Sequence, residues 1–374
     1  MDCREIMKAL EKIAPVKYAE DWDNVGLLVG RGDKQVRKIM VALDASQSVI
    51  NQCVNQKVDL LITHHPLIFS PLKRINGDDF ISRKVIQLLQ NDISCYAIHT
   101  NFDSMVMAEE AADRINLVSK KILDVTYSEL LYKIAVFAPF ESANLVRESM
   151  IKEGAGHIGA YSHCSFNMEG VGTFRPLEGT HPYIGTGGET AHTKEVKIET
   201  VVSEEKLDTV LKSMLRVHPY EEVAYDIYKL ERQGREEGIG RYGYLERNMS
   251  LKELAELVKA KFEIANVKVM GSLDKRISKV AISPGSGKSM ISRALKIGAE
   301  VLITGDIDHH TALDALDQGL SIIDAGHFGT EYFMVDILKN YLNQYLYHAE
   351  DEYVGIPIGI EILKAKEESP FMVM

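Results

Sequence analysis

The sequence predicts an α/β fold in which two similar α/β halves form one unit, interrupted by a smaller α+β insert. Short apolar strands alternate with helical patterns in the first 125 residues and again after residue 233. Continuous apolar strands separated by helices are typical of parallel or mixed sheets covered on both faces. The segment 129–232 has a different pattern. We therefore expect an N-terminal half (1–128), an inserted domain (129–232) and a C-terminal half (233–374).

The N-terminal half begins with an amphipathic helix, which Pro15 ends. Apolar runs such as KIMVAL and DLLIT then predict buried strands, and the more polar periodic stretches between them predict helices. The predicted elements are helices 4–13, 46–56, 80–90 and 104–115 and strands 38–43, 59–63 and 95–99.

The C-terminal half repeats this order. VDLLIT (58–63) aligns with AEVLIT (299–304), which indicates an internal duplication of one α/β unit. The alternative is that any two such units look alike, because buried strands share a small set of residue types. The predicted elements are helices 250–262, 289–297, 311–318 and 331–345 and strands 279–282, 300–304 and 320–323.

The insert is predicted to have a ferredoxin-like α+β fold, because its order is β-α-β followed by a second β-α-β. A turn-rich stretch rich in glycine, 154–189, separates the two parts. Such an insertion is tolerated at an exposed loop when the termini of the insert lie close together. The predicted elements are strands 132–137, 196–202 and 224–230 and helices 142–153 and 204–216.

The length and net charge of the chain exclude some classes of function. The chain has 374 residues and a mass of 41.9 kDa, more than one ordinary domain. Its 43 Lys and Arg residues face 54 Asp and Glu residues, a net charge of −11. Such a surface repels phosphate backbones and anionic lipid, so neither a nucleic-acid partner nor a membrane is expected. The net charge does not exclude a local pocket that binds one small anionic or nucleotide substrate.

The sequence also predicts a cytoplasmic protein. No run of 18 apolar residues is present, and the N-terminus lacks the long apolar stretch of a signal peptide. The four cysteines, Cys3, Cys53, Cys95 and Cys164, are far apart and form no CxxC pair. This distribution is typical of reduced, packed thiols rather than of disulfides or a cysteine zinc site.

Histidines are concentrated at the ends of predicted strands. Of seven outside the insert, six lie at or just past the carboxyl end of a strand: His64, His65, His99, His309, His310 and His327. Ligands of open α/β sheets bind at these ends. We therefore expect a functional site there rather than six unrelated packing residues.

Three patterns favour metal ligands. His64 and His65 follow a strand directly, and at a turn two neighbouring imidazoles can point toward two different ions. Asp103 is either a ligand or the cap of the next helix. His327 and Glu331 are four residues apart and share a face if a helix begins there. The alternative for Glu331 is a helix-start carboxylate favoured by the helix dipole.

Five such residues exceed what one tetrahedral zinc ion needs. The set therefore predicts two divalent metal ions per chain, bridged by carboxylates and separated by about 3.5–4 Å. Ligation by nitrogen and oxygen without thiolate suits Zn²⁺, the first candidate, and also Fe²⁺, Mn²⁺, Co²⁺ or Ni²⁺. His99, Asp306 and His310 are predicted to orient ligands or to act as general acids or bases. Their alternative is an ordinary polar residue at a strand end.

The segment PGSGKS (284–289) looks like a P-loop but lacks its first glycine, because position 282 is Ile282. Walker-type nucleotide hydrolysis is therefore not expected. Since this turn follows a strand and opens a helix, its N–H groups either hold an anion near the metals or serve packing.

Five motifs in this order resemble the Nif-three-like family, whose members are also labelled GTP cyclohydrolase I type 2 homologues. They are DNVGLLVG (23–30), ITHHPLIF (62–69), HTNFD (99–103), ITGD with the following HH (303–310) and GHFGTE (326–331). The resemblance covers about 1–125 and 235–374. It implies two similar α/β halves, a toroidal homohexamer and a dinuclear metal centre, with ligands at His64, His65, Asp103, His327 and Glu331. The insert, with HPYEEVAYDI (218–227), resembles CutA- and PII-like domains.

The function expected from these patterns is a metal-dependent hydrolase. Metal-activated water would attack a carbon or phosphorus atom of a nucleotide or phosphoester. The family label implies a purine-nucleotide cyclohydrolase. The competing class is a non-catalytic, metal-dependent regulatory or interaction scaffold. A substrate screen on metal-loaded protein separates the two classes.

Overall fold

A computed structural model describes residues 1–352 and 359–373. These residues form two compact units. One unit contains 1–127 and 237–374, and the other contains 128–236. We call the first the main unit and the second the insert.

Before the insert, the main unit contains five helices, two of them short, and five strands. The helices are α1 (Cys3–Ile13), α2 (Gln47–Gln56), α3 (Phe80–Gln90), α4 (Thr100–Phe102) and α5 (Ala108–Arg114), the last two joined by a π-helical turn (Asp103–Met107). The strands are β1 (Gly26–Val29), β2 (Lys38–Ala42), β3 (Leu60–Thr63), β4 (Ser94–Ala97) and β5 (Leu117–Ser128).

The insert contains β6 (Leu131–Pro139), α6 (Ala143–Lys152), β7 (Ser165–Phe174), β8 (Ala191–Ser203), α7 (Glu204–Val217) and β9 (Tyr225–Lys229). Its antiparallel sheet has the order β7-β8-β6-β9. This is the ferredoxin-like arrangement that the sequence predicts. Apolar residues of the sheet and both helices, such as Ile134, Val146, Ile198 and Met214, form its own core.

After the insert, the described part of the main unit adds six strands and five helices. They are β10 (Glu236–Ser250), α8 (Leu251–Phe262), β11 (Lys268–Met270), β12 (Arg276–Ser286), α9 (Ile291–Lys296), β13 (Val301–Gly305), α10 (His309–Asp317), β14 (Ser321–Asp324), α11 (His327–Glu331), α12 (Met334–Glu352) and β15 (Glu361–Lys364).

Four strands of each sheet of the main unit share one topology. In the first sheet, β2, β3 and β4 run parallel and β1 pairs antiparallel with β4. In the second, β12, β13 and β14 run parallel and β11 pairs antiparallel with β14. The aligned strands β3 and β13 each lie at the centre of their three parallel strands. The predicted fold of two similar α/β halves is therefore confirmed.

Two strands cross from one half of the sequence to the sheet of the other. β5 from the N-terminal part lies at the edge of the second sheet, and β15 from the C-terminal part lies beside β2. The sheets are consequently not formed by two contiguous halves of the chain.

Each sheet is buried on both faces, as continuous apolar strands require. Leu60 and Ile62 face a core that both sheets share, whereas Leu61 between them faces a second core under α2 and α3. Ile303 also faces the shared core, and its neighbour Leu302 faces a core under α9 and α10. Alternation of side chains along a strand produces this division.

The sequence misses several strands and misplaces one helix boundary. β7 lies in the stretch interpreted as turns, and most of its residues are exposed, so no apolar pattern marks it. β5 and β10 are long strands with many exposed polar residues. The predicted helix 331–345 begins three residues too early, because Glu331 ends α11 and α12 begins at Met334.

Across residues 1–352 and 359–373, every helix is too short or too polar to span a bilayer.

Candidate metal centre

The candidate centre lies at the carboxyl ends of strands from both sheets. His64 and His65 follow β3 directly, and His99 comes two residues after β4. In the second sheet, His327 begins α11 shortly after β14, and Glu331 ends the same helix. The structure thus brings together residues from both halves of the sequence, as the strand-end rule expects.

His64 and Asp103 form one side of the centre. The His64 ring is fully buried, and its Nδ1 lies 2.8 Å from the carbonyl oxygen of Ile98. Because a carbonyl only accepts, Nδ1 carries the proton and Nε2 has a free lone pair. That Nε2 lies 3.4 Å from Oδ1 of Asp103 and 3.9 Å from Oε1 of Glu331.

Asp103 does not cap a helix, the alternative role that its position suggested. The helix begins at Thr100, three residues earlier, and its first N–H donates to Asp23. The carboxylate of Asp103 is therefore available to the centre.

His65 and His327 form the other side. Their Nε2 atoms lie 3.2 and 3.1 Å from Oε2 of Glu331 and 3.1 Å from each other. Nδ1 of His65 lies 2.9 Å from Asp44, and Nδ1 of His327 lies 2.7 Å from Asp306. A carboxylate on Nδ1 fixes the ring orientation and makes Nε2 a better metal ligand.

His99 lies close to both sides of the candidate centre. Its ring centroid is 5.0 Å from that of His64 and 5.5 Å from that of His65. Nδ1 of His99 lies 2.8 Å from Asp23, so this ring too is held by a carboxylate. The side chain of Trp22 lies edge-on at 6.1 Å.

Three overlapping groups have ligand atoms within 4.8 Å of one another. They are His64, His65 and His99; His65, His327 and Glu331; and His64, Asp103 and Glu331. Glu331 belongs to two of them through its two different oxygens. Each of these groups could hold a metal ion.

Two buried atoms of the centre lack a hydrogen-bond partner: Nε2 of His64 and Oε2 of Glu331. The nitrogens near Oε2 are close but do not meet hydrogen-bond geometry. Unpartnered buried polar atoms are costly, and folded proteins rarely keep them without a function. A divalent cation among these atoms would partner both, so the donor set fits a metal.

The charges of the side chains in the centre also favour a bound cation. Burial disfavours the charged form of His65, but the contacts with Asp44 and Glu331 outweigh it and raise the pKa of His65 to about 10. Burial also opposes the charge of His327, whose contacts with Glu331 and Asp306 raise its pKa to about 9. Although burial favours a neutral Glu331, both histidines hold the pKa of that carboxyl far below its usual range. The buried carboxylate thus remains an anion that attracts cations.

Gly285, in the P-loop-like turn, provides the space that Glu331 occupies. A Cβ at this position would overlap Oε1 of Glu331. The N–H of Gly285 donates to Thr330 Oγ1 at 2.9 Å, and that of Gly287 donates to the Gly305 carbonyl at 3.3 Å. These N–H groups are engaged within the protein, which favours the packing role of the turn.

Three residues are predicted to orient ligands or to act as general acids or bases, and the structure places them in different surroundings. Asp306 contacts Nδ1 of His327, and His99 lies within the cluster. His310 lies in the first turn of α10, is exposed and has its ring 5.3 Å from His309. It belongs to none of the three ligand groups found in the described residues.

Sequence reasoning missed Asp23 and Asp44, which hold His99 and His65. Asp44 follows the predicted strand 38–43 directly, so the strand-end rule could have found it. Asp23 opens the DNVGLLVG motif but follows no predicted strand.

Fold and site together define a class: an α/β protein with two equivalent sheets and a histidine–carboxylate cluster suited to divalent metal ions. The chain belongs to the Duf34/NIF3 (NGG1p interacting factor 3) family, whose model matches residues 1–358. At this level, the family resemblance drawn from the motifs is confirmed.

Similar proteins agree with this assignment. The GTP cyclohydrolase 1 type 2 homolog of Halalkalibacterium halodurans is 40% identical over 91% of this chain and 92% of its own length. The Bacillus subtilis protein of the same name is 41% identical over 87% of this chain and 88% of its own length. The crystal structure of a Bacillus cereus protein related to NIF3 superimposes with a TM-score of 0.84 at 36% identity, covering 100% of this chain and 99% of that one.

Proposed function

We propose that this chain binds two divalent metal ions that share Glu331. One ion would be held by His64, Asp103 and Oε1 of Glu331, with His99 beside it. The other would be held by His65, His327 and Oε2 of Glu331. The observation that supports this most is the pair of buried, unpartnered atoms at the centre, Nε2 of His64 and Oε2 of Glu331. Zinc is the first candidate metal, and Fe²⁺, Mn²⁺, Co²⁺ and Ni²⁺ suit the same donors.

We further propose that the centre is hydrolytic and acts on a nucleotide or phosphoester. Bound divalent ions supply Lewis acidity and lower the pKa of water, so that water can attack carbon or phosphorus at neutral pH. The name of the relatives, GTP cyclohydrolase 1 type 2 homolog, supports this class of substrate.

Within the chain, the Asp23–His99 pair is the best candidate for proton transfer. Burial opposes the charge of Asp23, but hydrogen bonds from His99 and Thr100 outweigh it and lower its pKa to about 2. The charged carboxylate fixes the ring through Nδ1, which leaves Nε2 of His99 as the atom that would exchange a proton with a substrate. His310 has no such partner among its described contacts, so its predicted acid–base role has less support.

The test is metal analysis of three purified proteins, joined to a screen of nucleotides and phosphoesters. Wild type is expected to hold two ions per chain, and Glu331→Gln and His65→Ala are expected to hold fewer while keeping the fold. Turnover should fall with the bound metal. Wild-type metal content in both variants would remove these residues from the centre. Metal-dependent assembly without turnover would instead favour a regulatory scaffold.

We also propose a toroidal homohexamer in the cytoplasm. The family resemblance supports the hexamer. Four cysteines without a disulfide, three of them buried, support a reducing compartment.

The kinship of the insert with CutA- and PII-like domains stays a prediction from the sequence. The ferredoxin-like order of its strands supports it. Solved CutA chains match only 27% of this chain, which is too little to assign the insert to that family.

A further inference from the structure

A cavity of about 1060 Å³ opens beside the candidate metal centre, with His65 in its wall. This volume is in the upper range of small-molecule sites in proteins. The residues around it come from the end of β2, from α3, from α11 and from the segment that follows β15. We call it the Lys84 cavity after its half-buried lysine.

One wall of the cavity is aromatic. Phe328 and Tyr332 both line it, and their rings stack with centroids 4.6 Å apart and planes inclined by 20°. Each residue is adjacent in sequence to a proposed metal ligand, His327 or Glu331. A planar ring held against this wall would therefore lie next to the metal centre. Aromatic walls favour planar ring systems, which stack on them.

The cavity also presents two cations without a carboxylate partner. Three lysines line it, and Lys364 is bound to both oxygens of Asp336, at 2.6 and 2.7 Å. Within the described residues, Lys84 and Lys366 take part in no ion pair. Lys84 lies over the ring of Phe80, at 5.7 Å, and is attracted by the charge of Asp44 from beyond ion-pair distance. Burial lowers the pKa of Lys84, so an anion that entered the cavity would relieve a real cost.

The carboxylates of the wall are mostly engaged. Asp44 holds His65, and Glu367 accepts from the N–H groups of Leu43 and Asp44 at 2.7 and 3.0 Å. These bonds also fix the wall formed by the segment after β15. Within the described residues, neither Glu367 nor Glu368 forms an ion pair with a lysine of the cavity, so Lys84 and Lys366 stay available to an anion.

We propose that the Lys84 cavity binds a ring-bearing phosphate monoester, with the phosphate at Lys84 and the ring against Phe328 and Tyr332. This proposal rests on the proposed function, in which His65 beside the cavity is a metal ligand. A phosphate monoester carries about −1.5 to −2 charges at neutral pH, which two ammonium groups can balance. A triphosphate carries more charge than this wall can neutralise, so the cavity favours a nucleoside monophosphate over GTP.

The experiment is calorimetric titration of the full-length protein, as purified with its metal, with guanosine 5′-monophosphate, guanosine and GTP. The variants are Lys84→Met, Lys84→Arg and Phe328→Leu, with Lys252→Met as control, since Lys252 is exposed on α8 and does not line the cavity. Unfolding temperature is measured for each variant to confirm folding.

The monophosphate is expected to bind about ten-fold more tightly than guanosine, because a charge-assisted hydrogen bond is lost without the phosphate. Lys84→Met should weaken monophosphate binding about ten-fold and leave guanosine binding unchanged, and Lys84→Arg should largely restore it. Phe328→Leu should weaken both ligands, and Lys252→Met should weaken neither. GTP should bind no more tightly than the monophosphate.

Several results would overturn the proposal. They are equal monophosphate affinity in Lys84→Met and Lys252→Met, GTP binding more than ten-fold tighter than the monophosphate, or no binding of any of the three. Metal analysis of the same samples separates this proposal from the proposed function. Metal-free wild type with Lys84-dependent binding would refute only the metal centre. Metal-loaded protein whose monophosphate binding does not depend on Lys84 would refute only the cavity assignment.

Discussion

Gly285 places the backbone of the P-loop-like turn against the carboxylate of Glu331. Its φ is +70°, a conformation that residues with a Cβ rarely adopt, and a Cβ there would also overlap Oε1 of Glu331. Gly298 has nearly the same φ, +71°, but open space around its Cβ position. The two glycines therefore share the backbone requirement and differ only in contact with the centre.

This difference gives the first residue-scale prediction. Gly285→Ala should displace Glu331 and lose at least one of the two expected ions, whereas Gly298→Ala should keep both. Each variant should also lose about 1–2 kcal/mol of stability from the left-handed conformation. Metal analysis and thermal unfolding of both variants test this. Full metal content in Gly285→Ala would show that metal binding does not depend on the position that Glu331 occupies in the structure.

The buried thiols give a second prediction. Burial raises the pKa of Cys53 and of Cys95 to about 12 and that of Cys3 to about 11. Because only the thiolate reacts, these thiols should resist iodoacetamide at pH 8 in the native protein, while the partly exposed Cys164 is modified. Peptide mass spectrometry reads the sites, and in guanidinium all four should react. Rapid native modification of Cys53 would contradict the packing of its core.

At this scale, the strand-end rule selects from the sequence four histidines that the structure brings together, and also His309 and His310, which belong to none of the ligand groups found in the described residues. Adjacent histidines after one strand and a His-x-x-x-Glu spacing after another are local patterns, and the sheet aligns them. Asp23 escapes this rule because it contacts His99 across 76 positions of sequence. Such a partner is set by tertiary packing, which a single sequence does not reveal.

Among the elements, the short helix α11 has two functions. His327 and Glu331 belong to a residue group that could hold a metal ion, while Phe328 and the following Tyr332 line the Lys84 cavity. The sequence predicts one continuous helix from 331, whereas α11 ends there and α12 begins at Met334. The boundary matters, because a separate short helix can orient its ligands independently of the long helix that packs in the core.

The turn 284–289 provides the element-scale prediction. Lys288 binds Asp308 at 2.8 Å, and both side chains are exposed. Lys288→Ala should therefore leave metal content unchanged and alter stability little, since exposed ion pairs contribute little. Turnover of whichever substrate proves active should also persist, in contrast to His65→Ala. If Lys288→Ala abolished turnover while retaining its metal, the turn would hold the anion of the substrate.

The strands that the sequence predicts are those with continuous apolar runs, and β3, β4, β13 and β14 are buried along their whole length. β5 and β7 contain many exposed residues, several of them polar. They are strands because their backbones pair with neighbouring strands, not because their side chains follow an apolar pattern. Hydrophobic pattern detects burial rather than hydrogen bonding, so it misses such strands.

At the scale of the whole molecule, the duplicated sheets hold non-equivalent residues at equivalent positions. β3 is followed by His64 and His65, whereas its counterpart β13 ends at Gly305 and is followed by Asp306, which contacts Nδ1 of His327. The candidate centre therefore draws its residues from both halves of the sequence. The crossing of β5 and β15 between the sheets could not be predicted, because tertiary packing decides which sheet an edge strand joins, and a single sequence does not reveal it.

The insert provides the prediction for the whole molecule. The strands that lead into and out of it, β5 and β10, are neighbours in the second sheet, so a short linker can join them. Replacing residues 129–235 with a Gly/Ser linker should leave a folded protein with wild-type metal content, because the five proposed ligands lie in the main unit and the insert has its own core. Metal analysis and circular dichroism of the shortened chain test this, with Glu331→Gln in the same background as control. A shortened chain that folds but binds no metal would mean that the insert takes part in forming the centre.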